Sequence, residues 1–110
     1  MFDWEKCRTD LRNAVAELSK LSPDVVEGYM LASGAGGKTA HLDEKTRQLI
    51  SLAVAVTTRC DGCIAFHADA AVKNGATLGE IAEALGVAVA TNAGAALTYS
   101  ARALNAAKNC

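Results

Sequence analysis

DEKTRQLISLAVAVTTRCDGCIAFH, residues 43–67, holds the two features on which the reading of this chain turns: a continuous apolar segment and, directly after it, a cysteine pair with a histidine. Asp43 has the short acceptor side chain of a helix N-cap, so Glu44 to Thr58 reads as a helix. Its interior, Leu49 to Val56, is apolar on every side, which predicts a central, buried element. Valine also favours strands, and periodicity over so short a run does not separate the two. Cys60-Asp61-Gly62-Cys63 then opens a second helix, from about Asp61 to Asn74, closed by Gly75. His67 falls four residues after Cys63, one turn along the same face.

The flanking sequence reads as further helices. Asp3 can cap a helix from Trp4 to about Lys20, with Leu11, Val15, Leu18 and Leu21 on one stripe. Ser22-Pro23 restarts the chain, because serine suits the N-cap and proline the first helical position. That second helix is expected to stop near Ser33, where Gly34-Ala35-Gly36-Gly37 reads as the main loop of the molecule. On the other side, Thr77-Leu78-Gly79-Glu80 is a capping box. The alanine-rich remainder, to about Ala107, reads as two helices or as one broken near Gly94. The expected fold is all-α, with about five or six helices in one domain over residues 1–110.

Composition narrows the function classes. Apolar residues make up 51% of 110, rich for so small a body, and this predicts self-association. The 11 basic and 12 acidic residues are dispersed, so no patch suits a nucleic acid or a membrane surface. The N-terminus is charged from Asp3 onward, unlike a secretory signal, and the Leu49–Val56 run is too short to cross a bilayer. A cytoplasmic protein with neither nucleic-acid nor membrane partner is expected. In a reducing compartment Cys60 and Cys63 point to redox or metal chemistry, while Cys7 and Cys110, near the two ends, read as incidental.

Two thiols at a helix start can close into a disulfide and reopen, and the unpaired amides there favour thiolate over thiol. Cys63 also faces His67, which can carry a proton or, when charged, stabilise the thiolate. Gly62 removes bulk from the approach, whereas Asp61 opposes thiolate formation unless it caps the helix. The competing readings are two small buried hydrophobes, or a zinc site, for which Cys60, Cys63 and His67 supply only three ligands.

Leu42 to Val56, Cys60 to His67, Gly75-Ala76-Thr77, Glu80-Ile81 and Glu83-Ala84-Leu85 resemble the alkylhydroperoxidase D-like branch of the carboxymuconolactone decarboxylase family, over roughly residues 24 to 100. The resemblance implies a helical fold assembled as homotrimers or homohexamers, and a peroxidase activity of peroxiredoxin type without metal or flavin. By that analogy Cys63 attacks the peroxide, Cys60 condenses with it to a disulfide, an external dithiol donor restores both, and His67 serves a proton relay. One departure matters. The family usually has a glutamate twelve residues before the first cysteine, and this chain has Gln48, which cannot accept a proton. Glu44, one turn earlier, is a candidate to replace it through a water. Gln48, Ser51, Ile64 and Phe66 are expected to shape the pocket. A thiol-disulfide exchanger or redox sensor with little peroxide turnover is the alternative.

Other families fit less well. A thioredoxin-like fold would place a cis-proline against its dithiol, and the only proline here is Pro23. Ala32 to Thr39 loosely resembles a phosphate-binding loop, but Ala32 stands where its leading glycine belongs, and His41 beside it reads as a solvated loop residue. The lactone decarboxylases that give the broader family its name do not rely on a redox dithiol, so Cys60 and Cys63 argue against that activity.

Overall fold

The computed structural model describes residues 2–110 and contains five helices: α1 (Trp4–Leu21), α2 (Pro23–Thr39), α3 (Glu44–Thr58), α4 (Asp61–Lys73) and α5 (Leu78–Lys108). No strand occurs among the described residues, so the ambiguity over Leu49–Val56 resolves to helix. Local signals set most boundaries. The Asp3 and Asp43 carboxylates accept from the Lys6 and Thr46 amides at 3.0 and 2.8 Å, satisfying donors that the first turn leaves open. Thr77 and Glu80 form the reciprocal capping box at 3.0 and 2.9 Å. Gly75 takes φ +89°, a left-handed conformation that ends α4 and that a side chain would strain.

Two expectations about glycine are corrected. Gly34 to Gly37 is not a loop: α2 runs through it to Thr39 and stops only where Ala40 turns left-handed. Each glycine costs a helix about 1 kcal/mol, but nothing in the segment forbids helical geometry, and tertiary contact decides. At Gly36 an added Cβ would lie 2.6 Å from Arg47 Cδ, so the bare backbone is what admits the α3 side chain. Likewise α5 does not break near Gly94, where nothing approaches within 4 Å, and it continues unbroken for 31 residues.

α3 packs on α4 and α5, while α1 packs on α2 and α4. The buried apolar residues are Leu52, Ala55, Ala65, Ala71, Ala76 and Ala88, mostly small, so helices approach closely around a thin core. Leu49–Val56 is therefore only half covered. Leu52 and Ala55 are buried but Ile50 and Val54 stay 50% and 55% exposed, because α3 packs closely on α4 and α5 on one side while the side toward α2 is open. Leu18 and Leu21 of the α1 stripe are also exposed. Beyond Asn92, whose amide donates to Thr57 at 2.9 Å, α5 projects away from the body with every residue exposed. The radius of gyration is 17.7 Å, where a compact chain of this length has about 13 Å. By length and composition α5 is also apolar enough to cross a bilayer, a test that the core helix of a soluble protein passes as well.

Candidate active site

α3 ends where Arg59 turns left-handed at φ 58°, and the Cys60 amide returns to the Ala55 carbonyl at 3.1 Å. This reversal delivers Cys60 to the N-cap of α4. There the Cys63 N–H donates to Cys60 Sγ at 3.2 Å, so sulfur takes the place usually held by a serine or aspartate oxygen. Cys60 and Cys63 are joined as a disulfide, their Cα atoms 5.2 Å apart. Asp61, offered above as a cap, is instead an exposed first-turn residue. The space left by Gly62 is not an open approach either. An added Cβ would meet Leu11 Cδ2 at 2.5 Å, so α1 lies directly on this turn. Arg8 reinforces the contact by donating to the Ala65 carbonyl at 3.0 Å, and the Arg12 guanidinium sits 5.1 Å from the centre of the Phe66 ring.

One turn further along α4, His67 is half-buried, and its Nδ1 lies 2.7 Å from Gln48 Oε1. The other end of the same amide, Nε2, donates to Glu44 Oε1 at 2.7 Å. Glu44, Gln48 and His67 thus form one unbroken hydrogen-bonded row spanning α3 and α4. Glu44, a candidate to reach the histidine through a water, here meets the Gln48 side chain directly. The second Glu44 oxygen is held by Arg47, whose guanidinium also donates to the Leu42 carbonyl. Donation from Gln48 first and Arg47 second holds the Glu44 carboxyl below its ordinary range, and burial holds the His67 imidazole below its own. At neutral pH the row is a carboxylate, an amide and a neutral imidazole.

A cleft of about 340 Å³ opens beside this row. Glu44, Gln48, Ser51 and His67 line it together with Arg47 and Ile50, and α2 forms its far wall with Ser33 and the glycines at 34, 36 and 37. Gln48 and Ser51 are therefore pocket residues as expected. Ile64 and Phe66 do not line it: Phe66, one residue before His67, points about 100° away from it and faces Arg12 of α1, while Ile64, on the same side as His67 but a turn nearer the start of α4, falls short of the cleft. Arg47 was the residue missed, although its place one position before Gln48 in an amphipathic turn could have suggested it. The two sulfurs do not line the cleft; they sit at the N-terminal end of α4, a turn before His67, which does line it. Cys7 and Cys110 are free thiols, half-buried and exposed respectively. His41 lies on the exposed connection between α2 and α3.

The sequence profile of the carboxymuconolactone decarboxylase family matches residues 23–106, which leaves only α1 and the extreme C-terminus outside. A protein of uncharacterised function from Haemophilus influenzae is 49% identical over 104 residues, covering 94% of this chain and 92% of its own. One encoded in the cox locus of Paracoccus denitrificans is 36% identical over 91 residues, 83% and 82% of the two chains. Among solved structures, an apo carboxymuconolactone decarboxylase family protein from Legionella pneumophila superposes with a TM-score of 0.75 at 38% identity, covering 94% of this chain and 92% of that one.

Proposed function

The chain belongs to the carboxymuconolactone decarboxylase family, and from that premise we propose that it is a thiol peroxidase of the alkylhydroperoxidase D-like kind, reducing hydrogen peroxide or small alkyl hydroperoxides. The observation that carries this reading is the Cys60–Cys63 disulfide at the head of α4, one turn from a histidine held by a polar row. In the reduced protein, the Cys63 thiol gives its proton to His67 and keeps the electron pair as thiolate. The thiolate attacks the peroxide: an S–O bond forms, the O–O bond breaks, and the leaving alkoxide takes a proton to become an alcohol or water. Cys60 then displaces that oxygen as water, forming the disulfide, and an external dithiol donor reduces it.

The two sulfurs differ in support. Cys60 accepts a helix amide, which suits the sulfur that meets an outside dithiol, and Cys63 is assigned His67, one turn along α4, as its proton acceptor. A protein that mainly exchanges disulfides, or senses oxidant, is the second reading. It is favoured by Gln48, which accepts a hydrogen bond from His67 where a carboxylate would also accept charge. Self-association as a homotrimer or homohexamer belongs to the proposal, supported by the open face of α3 and the projecting half of α5. A second copy on those faces, in a cytoplasmic protein, accounts for the apolar length of α5 without lipid.

Peroxide consumption with a dithiol donor tests the reading. Wild type turns over and Cys63→Ser does not, while Cys60→Ser, reduced and then assayed without the donor, consumes about one equivalent and stops with a trappable sulfenic acid. Disulfide exchange without peroxide loss would select the second reading, and inert thiols would remove both.

A further inference from the structure

The amide at position 48 can present either a carbonyl or an NH2 to the imidazole, and what stands behind it decides which. An ionised carboxylate only accepts hydrogen bonds, so the Gln48 group facing Glu44 Oε1 at 2.7 Å must be its NH2. The Gln48 carbonyl is then committed to the 2.7 Å contact with His67, and a carbonyl cannot donate. The proton in that contact belongs to Nδ1. From these two contacts we propose that Glu44 is a positioning residue, which through the Gln48 amide locks His67 in its Nδ1–H tautomer and leaves Nε2 the only basic ring nitrogen.

Without Glu44 the amide could turn over, present its NH2 to the ring and select the opposite tautomer, in which Nδ1 is the base and faces away from further use. The carboxylate thus works at two removes. It touches neither thiol nor peroxide, yet it decides which nitrogen can receive the Cys63 proton, breaking the S–H bond and forming Nε2–H. Arg47 contributes by holding the second Glu44 oxygen, so that the carboxylate stays ionised and aimed at Gln48. The consequence for chemistry rests on the thiol reading proposed above; the tautomer does not, and it is measured without turnover.

The test is nitrogen NMR of the reduced protein with labelled histidine above neutral pH, where the ring is uncharged. The chain has two histidines, and His41→Gln removes the other set of signals. Wild type is expected to show a pyrrole-type Nδ1 and a pyridine-type Nε2 for His67. Glu44→Ala is expected to lose that pattern, giving averaged signals or the reverse assignment. In Glu44→Ala with Gln48→Glu the new carboxylate accepts from Nδ1 directly, and the wild-type pattern returns. A wild-type ring protonated at Nε2 overturns the proposal even if every variant fails to fold, and so does an unchanged pattern in Glu44→Ala. Should the lock hold while peroxide is not consumed, the peroxidase reading fails alone.

Discussion

Exchanging the two polar residues of the row, Glu44→Gln with Gln48→Glu, moves the negative charge from one step removed to direct contact with the imidazole. In the native protein His67 Nδ1 meets a neutral carbonyl at 2.7 Å, and burial alone sets its titration, below the ordinary value of 6.5. After the exchange a carboxylate occupies that 2.7 Å position, and an opposite charge at such range raises a pKa by about 1–3 units. His67 is only half-buried, so the lower half of that range applies, about 1.4–2.7 kcal/mol in favour of the imidazolium. The sign of the pH dependence of stability reverses. In the native protein the unfolded chain binds more protons at His67, so its contribution is present above 6.5 and is lost as pH falls. In the exchanged protein the folded pKa lies above the unfolded one, so the contribution is present below 6.5 and disappears as pH rises through the folded value. The single change Gln48→Glu does not give this result, because its carboxylate would lie where an amide now donates to Glu44 at 2.7 Å, and the pair would retain a proton. Proton NMR titration of His67 and urea denaturation at pH 5.5 and 8 measure both quantities. An exchanged protein whose His67 titrates no higher than the native one would refute the row as described.

Gly75→Ala is expected to cost about 1–2 kcal/mol in denaturant unfolding, entirely through its φ of +89°, since nothing lies within 4 Å of the added methyl; a neutral change would mean the turn can relax. Thr77→Ala removes one half of the capping box and should cost about 1 kcal/mol, together with faster amide exchange in the first turn of α5. Leu97→Glu with Leu104→Glu changes two residues that are 77% and 59% exposed and two turns apart, so the folded chain should survive while sedimentation shifts to monomer; native protein already monomeric at micromolar concentration contradicts the assembly.

What the sequence disclosed, it disclosed through local chemistry. Asp3, Asp43 and the Thr77–Glu80 pair set helix starts by bonding the amides of their own first turns, and each did so where its position indicated. The Cys60, Cys63 and His67 spacing likewise implies its own geometry once α4 is helical. The errors fell where a distant contact decided. Gly36 looks like a helix terminator until Arg47, eleven residues on, is seen to need its missing side chain. Gly62 looks like an opening to the thiols until Leu11, from another helix, is found filling it. Phe66 and Ile64 were assigned to the pocket by nearness along the chain, but Phe66 is turned to Arg12 of α1 and Ile64 lies a turn short of the cleft.

Glu44 and Gln48 make the same point about substitution. Taken alone, an amide where the family resemblance places a carboxylate removes a base, and the natural inference is lost activity. Glu44 is not an equal replacement, because an amide between it and the ring transmits orientation but no proton. The pair is better regarded as a division of labour, in which Glu44 supplies the charge and Gln48 passes on only its directional part. In the proposed reaction a proton taken from a thiol stays on His67 and is returned to the leaving oxygen, with no carboxylate in contact to hold it. Such a site favours chemistry in which the same proton leaves sulfur and reaches the product, which both peroxide reduction and disulfide exchange require.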